Sequence, residues 1–335
     1  CKEARAPVPN KLLVLIQNRT CVVANCDSTS LDSKIRFTMF TFGFKVSEPS
    51  NEDSEEVVEE KSSQDSQTWF ECSELVLPDD LRSGITIDPD HLHVFLASVD
   101  IQVEYINCLT LDKEELSQDV LVAEHDHSDL VPGQYEGGLK VWECTFDLGE
   151  LMAEREQVTK LFKGATVLDL GCGSGILGIL AAKLGATKVV FQDYNKDVIE
   201  KVTMKNYSIN CCGEESEEGT SSSSTVKPEA QFYCGDWGSF VEKDDTQYDV
   251  ILTAETIYST NSYDKLIKLF KSKLKPDGVI LLAAKTYYFG VGGGLRLFEK
   301  ALQEDGHFSH RTAWECESGV KREILEIKAK PQTSE

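Results

Sequence analysis

The sequence predicts an α/β domain, beginning at about residue 128, whose parallel sheet is doubly wound, with helices on both faces. From that point short apolar runs alternate with longer segments of helical period, the pattern of strands connected by crossover helices. A glycine-rich turn follows the first apolar run, and an acidic residue ends the next one. Open α/β sheets bind ligands at the carboxyl ends of their strands, so we expect the functional site there.

Apolar runs and amphipathic stretches place the elements in order, because buried strands are continuously apolar whereas helices repeat every three to four residues. The predicted strands lie at residues 166–170, 188–192, 231–234, 249–253, 279–284, 310–315 and 322–328, and the predicted helices at residues 176–184, 196–209 and 262–274. The Pro-Asp-Gly sequence at residues 276–278 predicts a turn, and the glycines at residues 290–294 open a further helix. Glutamates and serines within residues 211–230 predict a flexible surface insertion.

The part of the chain that precedes this domain contains segments of different composition. Residues 47–60 contain seven acidic residues and no basic one, so the stretch buries too little apolar surface to offset its ordering entropy. Because the first methionine is Met39, we expect residues 1–38 to continue an upstream domain or to be leader sequence. The predicted organisation is a disordered leader and acidic tail at residues 1–68, a pre-domain at residues 69–127 and the α/β domain at residues 128–330.

Charge and cysteine usage limit the class of partner. The net charge of −23 at pH 7 disfavours nucleic acid and anionic membranes, which attract basic residues, and favours a basic partner. No apolar run approaches the roughly 20 residues of a membrane span. The eleven cysteines form no C-x-x-C pair, so we expect neither a disulfide framework nor a metal site.

The glycine-rich turn has the sequence DLGCGSG at residues 169–175. Residues 173–178 alone fit G-x-G-x-x-G, which a dinucleotide-binding enzyme would also carry. Asp193 ends the next strand, 22 residues after Gly171, where a carboxylate can accept both hydrogens of a ribose diol. These signals indicate an adenosine-containing ligand without choosing between a methyltransferase and a dehydrogenase.

Longer motifs favour a methyltransferase over a dehydrogenase. The full loop resembles the first motif of the class I, seven-stranded methyltransferases, which have a Rossmann-like fold. The string YEGGLKVWECTFDL at residues 135–148 resembles the segment that precedes this fold in the histidine protein methyltransferases. So do FQDYN at residues 191–195, LTAETIY at residues 252–258 and YFGVGGG at residues 288–294. The resemblance covers residues 128–330, with an N-terminal extension before it, and MFTFGF at residues 39–44 is similar to the family's amino terminus.

The resemblance implies S-adenosyl-L-methionine as the cofactor. The residues implied around it are Val141, Trp142, Glu143, Cys144 and Thr145 over the methionine side, Asp169, Gly171, Gly173 and Gly175 in the loop, Gln192, Asp193, Tyr194 and Asn195 on the ribose, and Gly235, Asp236 and Trp237 on the adenine. A further contact is implied at Ala254, where the family pattern leads us to expect a serine. That departure loosens one hydrogen bond, at a cost of roughly 1 kcal/mol.

The resemblance also implies an acceptor site and a substrate. Glu255 and Tyr258 fit an acidic-x-x-aromatic motif that faces the substrate, with Glu255 as hydrogen-bond acceptor and Tyr258 packing against the ring. Tyr135, Trp142 and residues 290–294 are further candidate walls. The implied substrate is a ring nitrogen of one histidine in a large-subunit ribosomal protein. We expect a monomer in the cytoplasm and nucleus.

Other functions stay open at this point. A lysine protein methyltransferase of the same fold is the main enzymatic alternative, because residue spacing does not identify the acceptor. A non-catalytic S-adenosylmethionine-binding factor for ribosome assembly would also suit the acidic charge. The Asn/Asp-Pro-Pro-aromatic signature of nucleic-acid amino-methyltransferases is absent after the fourth strand, and an NAD-dependent oxidoreductase is the least favoured reading.

Overall fold

The computed structural model describes residues 69–106, 111, 116, 117, 120, 121, 130–212 and 228–331, together with the backbone of two strands at residues 12–17 and 20–25. The strands are β1 (Leu12–Gln17), β2 (Thr20–Asn25), β3 (Ser73–Leu75), β4 (His93–Leu96), β5 (Gln102–Tyr105), β6 (Thr166–Leu170), β7 (Lys188–Asp193), β8 (Glu229–Cys234), β9 (Tyr248–Ala254), β10 (Leu274–Lys285), β11 (Phe308–Glu315) and β12 (Arg322–Ala329). The helices are α1 (Asp79–Arg82), α2 (Glu143–Glu154), α3 (Glu156–Thr159), α4 (Ile176–Lys183), α5 (Lys196–Val198), α6 (Met204–Cys211), α7 (Trp237–Lys243), α8 (Tyr263–Lys273) and α9 (Leu295–Asp305). A π-helical turn, Ile199–Thr203, joins α5 to α6.

The central sheet has the strand order β11-β12-β10-β9-β6-β7-β8-β3. The five strands from β10 to β8 in this order are parallel, and β12 runs antiparallel to both of its neighbours. The chain reverses direction of winding between β6 and β9, which places a ligand crevice at their carboxyl ends. The predicted doubly wound α/β fold is therefore confirmed.

An eighth strand extends the predicted seven-stranded sheet. The strand β3 lies in the segment that we expected to precede the domain, and it pairs antiparallel with β8 at the sheet edge. Its three residues are too few to show a period of two, so sequence pattern alone did not reveal the strand. Part of the N-terminal extension therefore belongs to the central sheet.

Most predicted elements are present at their predicted positions. Helix α2 was not predicted from the sequence, although its buried residues Cys144, Leu148 and Leu151 follow helical spacing. Residues 276–278 form no separate turn, because they lie within β10 as a register shift between Leu274 and Val279. Most of the predicted insertion, residues 213–227, lies outside the described residues.

A second sheet of four strands has the order β2-β1-β4-β5. Strands β1 and β2 lie within residues 1–38, which we expected either to continue an upstream domain or to be leader sequence. The apolar run LLVLIQ of β1 pairs in parallel with β4. Residues 26–68, which include the acidic stretch, lie outside the described residues, and the domain boundaries themselves stay a prediction.

Two apolar layers enclose the central sheet. One layer contains Leu148 of α2 and Leu180 of α4, and the other contains Leu266 of α8 and Phe298 of α9. Fully burying a side chain of this size stabilises the fold by about 1.5–3 kcal/mol. Helices on both faces thus hold the strand ends in fixed positions at the crevice. None of the helices in the described part of the chain is long and apolar enough to cross a membrane.

Candidate active site

A cleft opens at the carboxyl ends of β6, β7, β8 and β9. The predicted site residues that line it are Val141, Trp142, Thr145, Gly171, Gly173, Asp193, Tyr194, Asp236, Trp237, Ala254, Glu255 and Tyr258. They come from five separate segments of the chain, so the fold brings the cofactor and acceptor motifs to one place. Their assignment to individual ligand groups stays a prediction.

The other predicted residues do not line the cleft. They are Glu143, Cys144, Asp169, Gly175, Gln192, Asn195 and Gly235. Two of them support the lining from beneath, since the Gln192 side chain donates to the Gly235 carbonyl oxygen at 2.8 Å and accepts from the Trp237 indole at 3.1 Å. The Asp169 carboxylate accepts from the Gly178 amide at 2.8 Å, and burial raises its pKa to about 8.

The glycine loop lines the cleft, and at Gly171 and Gly173 it offers only backbone atoms. Gly173 has φ of +50°, and a Cβ atom there would lie 3.1 Å from the Gly138 carbonyl oxygen. Its amide donates to the Asp193 carboxylate at 2.9 Å. A side chain at residue 173 would therefore strain the backbone and intrude on the neighbouring loop.

The Asp193 carboxylate sits at the base of the cleft. It accepts from the amides of Gly173 at 2.9 Å and Asn195 at 3.2 Å. Burial raises its pKa to about 6, against the effect of these amide bonds, which favour the charged form. An ionised carboxylate has about four acceptor positions, so it can still bind a diol. A loop that approaches closely at Gly171 and Gly173, beside such a carboxylate, fits the nucleoside portion of S-adenosylmethionine.

A loop that precedes α2 closes over one side of the cleft. The Tyr258 hydroxyl donates to the carboxylate of Glu136, which also accepts from the Gly133 amide at 2.6 Å. Asn195 fixes the same loop, because its side chain accepts from the Glu136 amide at 3.0 Å and donates to the Gln134 carbonyl oxygen at 2.7 Å. The Tyr258 hydroxyl is thus already engaged, and its ring forms a wall.

Glu255 combines backbone strain with an incompletely paired carboxylate. Its φ of +61° is the only positive value for a non-glycine residue in the described part of the chain. The residue is 6% exposed, and the Tyr288 hydroxyl donates to its Oε2 atom. Its Oε1 atom accepts no hydrogen bond from the described residues, although the Lys285 ammonium lies 3.8 Å from it in an ion pair and the weakly donating Cys144 thiol lies nearby.

Burial and the Lys285 ammonium have the two largest effects on the pKa of Glu255. Burial raises the pKa of Glu255, and the Lys285 ammonium opposes this rise from 3.8 Å away. Lys285 also lies 3.5 Å from the Glu143 carboxylate and 5.2 Å from the centroid of the Trp142 ring. Unpartnered buried acceptors are uncommon in native structures and cluster at functional sites. The Oε1 atom is therefore a candidate acceptor for a substrate hydrogen.

Sequence reasoning missed three residues that contact Glu255 or Tyr258. Glu136 and Tyr288 lie inside motifs that we had assigned to the family as a whole, while Lys285 ends β10 without any motif. A buried strand that ends on a lysine would have been a usable signal, since a buried lysine needs a partner. No spacing rule connects Glu136 with Tyr258, which lie 122 residues apart.

Known proteins resemble the chain over this whole region. A family model described as a methyltransferase domain matches residues 146–317. The histidine protein methyltransferase 1 homolog of Bos taurus is 42% identical over 242 residues, 67% of this chain and 64% of that protein. The Mus musculus homolog is 38% identical over 277 residues, 78% of this chain and 75% of that protein. The Dictyostelium discoideum homolog is 39% identical over 206 residues, 60% of this chain and 61% of that protein.

The match to the bovine protein thus spans just under two thirds of its length, and the match to the mouse protein three quarters. The family model covers most of the doubly wound sheet, including the strand ends that form the cleft. The chain carries an S-adenosylmethionine-dependent methyltransferase domain and belongs to the histidine protein methyltransferase family.

Proposed function

We propose that the chain is a protein-histidine N-methyltransferase that acts on a basic protein, with a large-subunit ribosomal protein as its substrate. The proposal is carried by one observation, the buried carboxylate of Glu255, which lines the cleft and whose Oε1 atom accepts no hydrogen bond from the described residues, its Lys285 ion-pair partner lying 3.8 Å away. An imidazole ring supplies the missing donor, because its second nitrogen carries a hydrogen.

The predicted residues divide the cleft between cofactor and acceptor. S-adenosylmethionine supplies a methyl group made electrophilic by the positive sulfur. Asp193 and the backbone of Gly171 and Gly173 would hold the nucleoside portion, and Trp142 and Thr145 the methionine side. Glu255 and Tyr258 follow β9 directly, so they remain for the acceptor.

Glu255 orients the acceptor ring and does not need to remove a proton first. Imidazole has a pKa of about 6.5, so most of it is a neutral nucleophile near pH 7. A hydrogen bond from one ring N–H to Oε1 leaves the other nitrogen with a free lone pair directed at the methyl carbon. Methyl transfer would form the N–C bond, break the C–S bond and release S-adenosylhomocysteine, and the ring would gain a positive charge. The Glu255 carboxylate stabilises that charge, and the ring proton then leaves to solvent.

The same geometry suits lysine less well. A lysine ammonium has a pKa of about 10.4 and must lose a proton before it can attack. Burial raises the pKa of Glu255 despite the opposing effect of the Lys285 ammonium, but an ordinary carboxylate is a far weaker base than the amine of the lysine that it would have to deprotonate. The described part of the cleft thus supports an acceptor that is already neutral.

Charge supports a basic protein as substrate. The chain carries a net charge of −23 at pH 7, which attracts basic proteins over distances of about a Debye length. Ribosomal proteins are basic, and they are synthesised in the cytoplasm and assembled in the nucleus. Action by a monomer in these two compartments is part of the proposal.

Labelled methyl transfer tests this proposal. The purified chain is incubated with S-adenosylmethionine labelled in its methyl group and with basic ribosomal proteins from cells that lack the chain. The proteins are then hydrolysed, and the modified amino acids are separated. We expect the label in methylhistidine.

The control is Gly173→Arg, which places a long side chain on a loop position with φ of +50°. This variant should transfer no label, because the arginine occupies the space expected for the cofactor. Label in methyllysine instead of methylhistidine would replace the proposal with the lysine alternative.

A further inference from the structure

We propose that Trp69 is a cofactor-binding residue and that the segment of residues 69–75, here called the N-terminal strap, forms the wall of the cleft beside the adenine. The inference rests on the proposed orientation of S-adenosylmethionine in the cleft. It assigns a role to a segment that precedes the methyltransferase domain and that no motif of the domain includes.

The strap is anchored to the turn that follows β8. Its strand β3 pairs with β8, with Ser73 opposite Cys234. The Phe70 carbonyl oxygen accepts from the Asp236 amide at 2.8 Å, and the Cys72 amide donates to the Ser239 hydroxyl at 2.8 Å. These bonds tie both the strand and the residues before it to the expected adenine end of the cleft.

Gly235 shows how closely the strap approaches this turn. Its φ is +116°, and a Cβ atom there would lie 2.6 Å from the Glu71 carbonyl oxygen and 2.7 Å from the Cys72 Cα atom. Only glycine fits under these conditions. The requirement for glycine at residue 235 therefore comes from the close approach of the strap.

The Trp69 ring is held at the cleft from two sides. The Lys265 ammonium lies 3.9 Å from its centroid, and the Tyr194 ring contacts it edge-on at 5.8 Å. Phe70 stacks on the same tyrosine at 5.1 Å, and its amide donates to the Tyr194 hydroxyl at 3.1 Å. The indole lines the cleft, yet it remains 39% exposed, so one part of its surface is free to contact a ligand.

The neighbouring acidic residue is already engaged. Asp236, which the family resemblance places on the adenine, forms an ion pair with Lys265 and accepts from the Gly238 amide at 2.8 Å. An uncharged purine presents large aromatic faces, which stack on indole rings. Trp69 and Trp237 both line this end of the cleft, so they supply the aromatic surface that a purine requires.

Ligand binding to Trp69 variants tests the inference without methyl transfer. The affinities of S-adenosylhomocysteine and of adenosine are measured by calorimetry on the full chain, its Trp69→Ala variant and its Trp69→Phe variant. We expect Trp69→Ala to weaken both ligands by about tenfold, the typical effect of one lost stacking contact. Trp69→Phe keeps an aromatic face and should recover most of the loss.

The control is Phe289→Ala, which removes an aromatic side chain that is 77% exposed and does not line the cleft. It should bind both ligands like the wild type. Unchanged binding by Trp69→Ala would overturn the inference. If Trp69→Ala bound S-adenosylhomocysteine more weakly but bound adenosine normally, Trp69 would not contact the adenine. That result would also overturn the inference.

Hydrogen exchange of the wild type provides a second measurement that needs no variant. We expect bound S-adenosylhomocysteine to slow exchange at the amides of Phe70 and Cys72. Unchanged exchange throughout the strap would contradict the inference. Neither measurement involves the acceptor, so a wrong histidine assignment would leave both results unaffected.

Discussion

Glu255 has an energetically unfavourable backbone conformation and side-chain environment at the candidate site. A left-handed backbone at a non-glycine residue costs on the order of 1–3 kcal/mol, and a buried acceptor atom that accepts no hydrogen bond costs a similar amount. Tyr288, Lys285 and the Ala283 carbonyl oxygen, which accepts from the Glu255 amide at 2.9 Å, hold the residue in place. A substrate N–H would satisfy the Oε1 atom and recover part of this cost.

Replacing Glu255 by glutamine removes the negative charge and keeps the size of the side chain. We expect Glu255→Gln to lower kcat by roughly 100-fold, because the charge that develops on the acceptor ring loses its partner. The affinity for S-adenosylhomocysteine should stay within about twofold of the wild type, since Asp193 and the loop are untouched. The exposed Glu304→Gln variant serves as control, and full activity of Glu255→Gln at every pH would refute the role.

Lys285 gives a prediction about pH. Its ammonium favours the ionised form of Glu255, so it opposes the rise in pKa that burial causes. In Lys285→Met the pKa of Glu255 rises further, and the acid limb of the kcat profile should move to higher pH. The substrate histidine titrates equally in both enzymes, so its contribution cancels in the comparison. The control Lys285→Arg keeps the positive charge, so the acid limb of its kcat profile should match that of the wild type. If the acid limbs of Lys285→Met and the wild type were identical, Lys285 would not influence the pKa of Glu255.

At the scale of elements, prediction succeeded where a single segment determines the structure. Strands β6 and β7 are continuous apolar runs that end at a glycine turn or a carboxylate, so their position follows from local sequence. Strand β3 is fixed instead by pairing with β8, and helix α2 was treated as a family motif although its buried residues carry helical spacing. The cleft lining was largely predicted, but Glu136, Lys265 and Tyr288 meet their partners only through the tertiary fold.

A largely buried ion pair connects helix α2 to the sheet. The Arg322 guanidinium of β12 contacts the Asp147 carboxylate through two nitrogens, at 2.5 and 3.3 Å, and the two side chains are 7% and 14% exposed. We expect Arg322→Met to lower the free energy of unfolding by about 3 kcal/mol, because Asp147 loses the partner of its buried charge. Denaturant unfolding measures this change.

The matched control is the double variant Arg322→Met/Asp147→Leu, which removes both charges. It should recover a substantial part of the lost stability, since no uncompensated carboxylate remains. A single variant as stable as the wild type would show that other contacts hold α2 in place.

At the scale of the whole molecule, the acidic charge and the cleft serve different steps. Under the proposed function, the charge of −23 would act at long range on a basic protein, whereas the cofactor would be bound by short contacts in the cleft. The N-terminal extension contributes to both, because it contains the acidic stretch at residues 47–60 and the Trp69 side chain of the cleft.

Salt should therefore affect the binding of the protein substrate and of the cofactor differently. Raising the ionic strength from roughly 0.05 to 0.3 M shortens the Debye length by more than half. We expect the KM for a basic protein substrate to rise several-fold over this range, while the affinity for S-adenosylhomocysteine changes little. Steady-state kinetics and calorimetry in the same buffers check both quantities, and a KM that is independent of salt would argue against electrostatic recruitment.

The central claim is that this chain methylates a histidine of a protein. Quantitative mass spectrometry of histidine-methylated peptides tests it most directly, in cells that lack the chain and in the same cells supplied with the wild type or with Glu255→Gln. We predict that one or more methylhistidine peptides disappear without the chain, return with the wild type and stay absent with Glu255→Gln, which still binds the cofactor. Unchanged histidine methylation in the cells that lack the chain would contradict the account.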